Sequence, residues 1–386
     1  MQQKKELPFS LKEFQGRVKR LREGIAAREL DAVLIHTPEN IYYLTGYRTP
    51  GYYAYQTFIV PLSQEPVILV RHLEESNVLA RSWVDKKVGF LDTEDPVEVT
   101  RDTLVQMGLA KATIGVEKEC WFLTTTNFER LRDSLSDAEF EDCSGLVEGL
   151  RLVKSPQEIE YIRRAAKAAA AGMRAGLAAI EADKTEDDIA AEVLKGRTLA
   201  GSEYTGLPPF IASGYRGAIA HATWESRRVE EGDLVFLELP GAIKRYHAAL
   251  MRTVSVGKPS AEVERIAKVV ISGLNAAIET IKPGVTSGEV DAACRGKFIE
   301  AGIDQYFPHR TGYSIGIAFP PDWGEGHIMS LRSGDPALLK PNMTFHMPPA
   351  ALVYGSYGIG FSETVLVTES GCEVLTEFPR ELQVVG

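Results

Sequence analysis

The sequence predicts an α+β protein with two domains, a small α/β domain over residues 1–150 and a larger mixed domain over residues 151–386. Three observations support this prediction. A chain of 386 residues is long enough to bury two cores. Short apolar runs alternate with amphipathic segments in the first part, and a strong helix start follows near residue 151. Long helices and strand-rich segments are then mixed, as in α+β proteins.

The first domain opens with a segment of helical periodicity, and Ser10 is placed to cap it. Three short apolar runs follow, AVLIH at 32–36, TFIVPL at 57–62 and PVILVR at 66–71. Their length and their β-branched content are typical of buried strands. ATIGVEKE at 112–119 repeats the pattern. The alternation predicts a small α/β domain.

The second domain begins at a helix start with three local signals. Ser155 is a suitable N-cap, Pro156 occupies the first helical position, and Glu158 completes a capping box. Thr185 and Asp188 repeat the cap pattern for a second helix. Later strands are predicted for PPFIASG, GDLVFLEL, ALMRTVSVG and ETVLVTESG, and later helices for 260–282 and 287–302.

Composition excludes several classes of protein. The net charge is −10, from 53 acidic and 43 basic residues, which argues against nucleic acid as a partner. The sequence lacks an apolar run of about 18 residues, so we expect no membrane span, and its first residues lack the apolar core of a signal peptide. We expect a cytoplasmic protein with buried free thiols, because no CxxC pair occurs among Cys120, Cys143, Cys294 and Cys372.

Four segments occur in an order and spacing that resemble the creatinase/aminopeptidase P family (M24). They are KSPQEIEYIRRAA, AHATWESRRVEEGDLVFLELPG, YHAALMRT, and GYSIG followed by NMTFHMPP and GIGFSETVLVTE. The resemblance covers the whole chain. It implies a creatinase N-terminal-like domain followed by a catalytic domain of the "pita-bread" fold.

Metallopeptidases of this family bind two divalent ions through two Asp, one His and two Glu. The resemblance places these residues at the five ligand positions: Leu239, Ala249, Tyr313, Met347 and Ser362. None of the five is a strong metal ligand. A shift of one register would recruit only Glu238 or Glu363, which leaves too few donors. The resemblance therefore implies a metal-free protein without a cofactor.

The segments GYSIG, PPDWGE, NMTFH and RYH are most similar to the metal-free ectoine hydrolases of this family. That similarity implies hydrolysis of a C–N bond in a small amidine. His221 matches the catalytic His of creatinase and would act as general acid and base; a structural His in a loop is the alternative. Glu238 would be the nucleophile or orient the water, unless it is a strand glutamate facing solvent. Met251 and Met347 stand where creatinases hold a guanidinium with glutamates, so creatine is not the expected substrate.

Four further residues are candidates for the same site. Glu363 would position His221 or the substrate, or be structural. Tyr313 would donate its hydroxyl to a developing anion or to a substrate carboxylate, or be a core tyrosine. Trp323 and His346 would form walls of the substrate site, or serve packing alone.

The aromatic segment GYRTPGYYAYQTF at 46–58 completes the prediction. In creatinase, the corresponding loop of one subunit reaches the active site of its partner. Tyr52 and Tyr53 would then cover a cationic substrate with their rings in a homodimer; a loop packed on its own domain is the alternative. Two other functions remain open, a metal-dependent Xaa-Pro peptidase and a peptide-binding protein without catalysis. Loop differences from ectoine hydrolases leave the substrate open.

Overall fold

The computed structural model of the protein describes residues 5–386, which separate into two compact units between Arg151 and Leu152. We call residues 5–151 the N-terminal unit and residues 152–386 the C-terminal unit. Each unit has its own sheet structure and its own apolar core. Helices and strands alternate in the first unit and are mixed in the second, so the predicted α+β class is confirmed.

The N-terminal unit is a helix-flanked mixed sheet. Its helices are α1 (Leu11–Ala27), α2 (Pro38–Thr45), α3 (Glu75–Arg81), α4 (Pro96–Gln106), α5 (Thr125–Ser134) and α6 (Leu146–Arg151). Its strands are β1 (Ala32–Ile35), β2 (Thr57–Pro61), β3 (Val67–Arg71), β4 (Lys87–Phe90), β5 (Thr113–Val116) and β6 (Glu139–Asp142). The strand order is β4-β3-β2-β1-β5-β6, with β1 parallel to β5 and antiparallel to β2.

Local chemistry accounts for the elements of this unit. The Ser10 side chain accepts a hydrogen bond from the Glu13 amide and caps α1, as predicted. Every residue of β1 and β2 is buried, which explains why these strands read as continuous apolar runs. A short 3-10 helix, Pro50–Tyr53, carries the aromatic segment.

The C-terminal unit contains longer helices and more strands. Its helices are α7 (Pro156–Ala179), α8 (Glu186–Leu199), α9 (Ala261–Thr280) and α10 (Ser287–Glu300). Its strands are β7 (Phe210–Ser213), β8 (Leu234–Ile243), β9 (Tyr246–Val256), β10 (Gly312–Ser314), β11 (Ser330–Leu331), β12 (Thr344–Met347), β13 (Ala350–Val353), β14 (Tyr357–Gly360), β15 (Glu363–Val367), β16 (Cys372–Val374) and β17 (Gln383–Val385).

Two main sheets organise this unit, and each has one face covered by helices. The first sheet, β17-β9-β8-β7, packs residues such as Leu237 and Leu250 against Ala169 of α7 and Ile189 of α8. The second sheet, β11-β10-β12-β15-β16, packs on α9 and α10. Strands β13 and β14 form a separate hairpin. The faces of the two main sheets that helices do not cover lie against each other.

The Thr364 side chain joins these two inner faces. Its hydroxyl, on β15, accepts a hydrogen bond from the Ala249 amide of β9 at 2.9 Å and donates one to the Ala249 carbonyl at 2.9 Å. One hydroxyl thus satisfies both backbone groups of a strand residue in the neighbouring sheet. Residues that point toward this junction are brought together between the sheets.

Helix starts in this unit follow the sequence signals. The capping boxes Ser155–Glu158 and Thr185–Asp188 form as predicted, and Thr286–Glu289 forms a third one at α10. All four cysteines are free thiols, but only Cys143 and Cys294 are buried, which corrects the expectation for Cys120 and Cys372. Within residues 5–386, no helix combines the length and apolar character needed to span a bilayer.

Candidate active site

Glu238 is a buried carboxyl group that accepts no hydrogen bond from residues 5–386. It lies on β8, directly opposite Phe210 of β7 and Met251 of β9, so all three side chains share the inner face of the first sheet. Its side chain is only 12% exposed. In the described part of the chain the carboxyl group has no hydrogen bond, and His346 Nδ1 lies 3.9 Å from its Oε1. Burial raises the pKa of Glu238 to about 8.

A chain of hydrogen bonds faces Glu238 from the second sheet. Trp323 Nε1 donates to the Tyr313 hydroxyl at 2.9 Å, and this hydroxyl lies 2.9 Å from His346 Nδ1. His346 Nε2 lies 2.7 Å from Ser362 Oγ. Tyr313 and His346 are paired directly across β10 and β12, which holds their side chains together on one face.

The protonation of this chain follows from burial. His346 is fully buried, and desolvation lowers its pKa to about 3, so the ring is neutral and carries one proton. Burial, together with the nearby Glu238, raises the pKa of Tyr313 well above its ordinary value, so the phenol is also neutral. With the ring proton on Nε2, Trp323 donates to Tyr313, Tyr313 donates to His346, and His346 donates to Ser362. Each of these four side chains then has a hydrogen-bond partner.

His221 also lies beside Phe210, but it is exposed, unlike the buried groups described above. It sits in the loop after β7, exposed, with a backbone φ of 60° in the left-handed region. A non-glycine residue adopts this conformation at a cost, and such strain is concentrated at functional sites. The His221 ring centroid is 5.2 Å from that of Phe210, and the Phe210 ring is 4.9 Å from that of Trp323.

Five of the predicted site residues therefore come together around Phe210: His221, Glu238, Tyr313, Trp323 and His346. Phe210 itself was not predicted, because the segment PPFIASG gives no sign that its phenylalanine pairs with Glu238. Ser362 was assigned only as a lost metal position, whereas here it is the last member of the hydrogen-bond chain. The site joins an isolated carboxyl group, an exposed imidazole and a neutral network of donors.

The strand registers correct two of the residues assigned to the metal-ligand positions. Leu239 points to the opposite face of β8 from Glu238 and packs against α7 and α8. Met347 likewise points away from His346 and belongs to the core under α9 and α10. Side chains alternate along a strand, so the positions that share the site face are Glu238 and, one residue beyond Met347, Pro348.

The remaining donor set does not fit a pair of divalent ions. Ala249 and Pro348 have no donor side chain, and Tyr313 and Ser362 hold their protons in the hydrogen-bond chain. Glu238 is the one carboxylate of the set. Across the described residues, no three His, Cys, Asp or Glu side chains are grouped as metal ligands. Two-metal sites need several anionic ligands, so the residues here do not match the family's metal centre.

Glu363 is not brought into this cluster. It lies on the face of β15 opposite to Thr364, paired across from Met347. Arg252 Nη2 donates to its Oε1 at 2.7 Å, the Thr376 hydroxyl donates to its Oε2, and Arg380 Nε lies 3.5 Å from Oε1. The carboxylate is fully buried, and its neighbours are those of a structural ion pair. Its predicted catalytic role remains a prediction.

Replacing Glu363 by glutamine is expected to lower the free energy of unfolding by about 3 kcal/mol, because Arg252 would keep its buried charge without a counter-ion. Urea unfolding measures this loss. Glu373→Gln is the matched control, since Glu373 pairs with Arg163 at the surface and its loss should cost less than about 1 kcal/mol. A folded Glu363→Gln protein with normal stability and no activity would instead support the catalytic role.

Tyr52 and Tyr53 belong to the 3-10 helix of the N-terminal unit. Tyr52 packs edge-on against Phe122, with ring centroids 5.5 Å apart. Tyr53 is 79% exposed. Tyr52 thus packs on its own unit, and its contact with a second subunit stays a prediction.

Comparison with known proteins agrees with this architecture. Residues 160–369 match metallopeptidase family M24, and residues 17–153 match the creatinase/prolidase N-terminal domain. The chain is 33% identical to ectoine hydrolase from Halomonas elongata over 98% of both proteins. Among solved structures, the Xaa-Pro dipeptidase from Bacillus anthracis superposes with a TM-score of 0.85 at 25% identity, covering 96% of this chain and all of that one.

The prolidase from Pyrococcus horikoshii is similar to the same extent, with a TM-score of 0.85 at 26% identity over 95% of this chain and 99% of that one. The relatives therefore include both an ectoine hydrolase and peptidases. The matched domains, their order and the two facing sheets agree with one conclusion. The chain belongs to metallopeptidase family M24 and combines a creatinase/prolidase N-terminal domain with a catalytic domain of the pita-bread fold.

Proposed function

We propose that this protein is a metal-independent hydrolase that cleaves a C–N bond in a small amidine. The observation that carries the proposal is the isolated Glu238 carboxyl group, which has no cation or hydrogen-bond donor of its own among the described residues. A buried carboxyl group of this kind is stabilised as a carboxylate when a cationic ligand binds beside it. An amidinium supplies that charge and two N–H donors in one plane, a geometry suited to a carboxylate.

The proposed reaction adds water across the amidine. The oxygen of water bonds to the amidine carbon, one C–N bond breaks, and the departing nitrogen takes up a proton. His221, exposed and adjacent to Phe210, takes the proton from water and returns it to nitrogen. Glu238 orients the water, or it attacks the amidine carbon itself, the protonated nitrogen leaves as an amine, and water then cleaves the acyl imidate to give the amide and free Glu238. Tyr313 lies in the middle of the neutral hydrogen-bond chain, and when the ring proton of His346 moves to Nδ1 the Tyr313 hydroxyl can donate to oxygen or nitrogen of the intermediate.

Ectoine or hydroxyectoine is the most concrete substrate. Ectoine is a cyclic amidine with a carboxylate, and its hydrolysis gives an N-acetylated diamino acid. The 33% identity to the ectoine hydrolase of Halomonas elongata supports this choice. We further propose that the protein acts in the cytoplasm as a homodimer, in which the exposed Tyr53 and its neighbour Tyr52 contribute to the substrate site of the second subunit.

Metal independence is part of the proposal and gives its first test. Protein dialysed against a strong chelator is expected to hydrolyse ectoine at an unchanged rate, because the site positions offer one carboxylate and no set of ligands. Product formation is followed by mass spectrometry, with elemental analysis of the same sample. The matched assay uses an Xaa-Pro dipeptide with and without Mn²⁺.

Three results would reject the proposal. Activity on the dipeptide that requires Mn²⁺ would support the peptidase function that the dipeptidase and prolidase relatives carry in their names. Loss of ectoine hydrolysis after chelation would reject metal independence. Absence of turnover on ectoine, hydroxyectoine and a panel of other amidines, with peptide binding retained, would support a non-catalytic protein.

A further inference from the structure

Arg310 is a cation beside the site that the proposed mechanism does not use. It precedes β10 by two residues and is exposed. Its guanidinium carbon lies 4.9 Å from the centroid of the Tyr313 ring, a cation–π arrangement. Gly326 leaves room for this group, since a Cβ at that position would lie 2.4 Å from Arg310 Nη2.

The charge of Arg310 is not neutralised within the protein. No acidic side chain among residues 5–386 lies within ion-pair distance of it. Lys154, a cation that also reaches this part of the second sheet, is in contrast fully buried and donates to Glu325 Oε2 at 2.6 Å. Arg310 is therefore the cation at this site that remains available to a ligand.

Tyr313 connects this cation to Glu238. Its hydroxyl is 2.9 Å from His346 Nδ1, which in turn lies 3.9 Å from Glu238 Oε1, while its ring face carries Arg310. The hydroxyl of Tyr313 thus lies near a carboxyl group, and its ring face lies under a guanidinium. A substrate bound beside this tyrosine therefore has a carboxyl group and a guanidinium near it.

We infer that Arg310 binds the carboxylate of the substrate and restricts the enzyme to small amidines that carry an acid group. A planar guanidinium forms two parallel hydrogen bonds with a carboxylate, and stacking on Tyr313 orients its plane. The cationic amidinium then lies at Glu238. Arg310 is a specificity-determining residue in this arrangement, and the inference rests on the proposed amidine hydrolysis.

The test compares ectoine with its decarboxylated analogue, the same cyclic amidine without the acid group. Binding is measured by calorimetry and turnover by mass spectrometry, for the wild type, Arg310→Gln and Arg310→Lys. Arg174→Gln is the matched control, because Arg174 is an exposed arginine on α7. Thermal unfolding checks that each variant is folded.

The wild type is expected to bind ectoine about 10- to 100-fold more tightly than the analogue, as for a charge-assisted hydrogen bond. Arg310→Gln should bring this ratio close to one, Arg310→Lys should retain part of it, and the control should leave it unchanged. An unchanged ratio in Arg310→Gln, or a wild type without preference for the acid, would overturn the inference.

This test can fail independently of the proposed function, because the ratio of the affinities for ectoine and its analogue is measured without turnover. A wild type that hydrolyses the analogue as well as ectoine keeps the amidine hydrolase function and loses the role of Arg310. A wild type that binds ectoine through Arg310 without hydrolysing it keeps the role of Arg310 and loses the hydrolase function.

Discussion

Glu238→Gln should lower kcat/KM on a cyclic amidine by roughly 1,000-fold while the protein remains folded. Glutamine keeps the shape of the side chain, but it can neither attack carbon nor pair with a cation. The loss should affect substrate binding as well as kcat, because the carboxylate is expected to hold the amidinium in both steps. Steady-state kinetics on the purified variant measures both constants.

The raised pKa of Glu238 should also make the free energy of unfolding depend on pH. An acid whose pKa is higher in the folded protein, about 8 against 4.5, disfavours the folded state once it ionises. This cost is absent below pH 4.5, grows as the pH rises to about 8, and is constant above that. Glu238→Gln should therefore be more stable than the wild type at pH 9, on the order of 5 kcal/mol, with no such gain at pH 4.

The same titration should govern activity in the wild type. The free enzyme needs the Glu238 carboxylate to pair with an amidinium, so kcat/KM should rise with pH and level off above about 8. Unfolding curves and rate profiles over this range test both statements. A glutamine variant with normal kcat/KM would show that Glu238 is not catalytic. A glutamine variant with wild-type stability at high pH would show that the Glu238 carboxylate is not desolvated.

His221→Ala should lower kcat by about 100- to 10,000-fold, the range for loss of a general acid and base. The structure allows this loss to be separated from misfolding. His221 is exposed and lies in the left-handed region at φ 60°, so its replacement removes a ring contact with Phe210 but little buried surface. His221→Gly should keep or raise the free energy of unfolding by up to about 1 kcal/mol, because glycine adopts this conformation freely.

Two further variants sharpen this experiment. His72→Ala is the matched control, since His72 is an exposed histidine of the N-terminal unit. His221→Asn keeps a residue type that tolerates positive φ but cannot transfer a proton at neutral pH. Full activity in the alanine or asparagine variant would leave His221 as a structural loop residue.

Local sequence signals predicted the helices of this protein well. A capping box involves residues three apart, so Ser155 with Glu158 and Thr185 with Asp188 could be identified without the fold. Strands β1, β2 and β3 were equally clear, because buried strands consist of short apolar runs.

The site could be predicted only in part, because it depends on strand register. An error of one position exchanges the two faces of a strand, which is why Leu239 and Met347 were assigned to the site and prove to lie on the helix-covered faces. Pairing between distant strands is also what places Phe210 opposite Glu238 and turns Glu363 toward Arg252. No short motif contains that information.

The Thr364 hydroxyl that joins β9 to β15 has a consequence for how the site can move. It fixes the Ala249 backbone to the second sheet, so the strands that carry Glu238 and His346 cannot separate without breaking the Thr364–Ala249 hydrogen bonds or the ladder of one sheet. The floor of the site is thus preorganised, and conformational freedom is left to its rim, the loops that carry His221 and Arg310. An enzyme built in this way can change the compounds it admits by altering rim residues while its reacting groups stay in register.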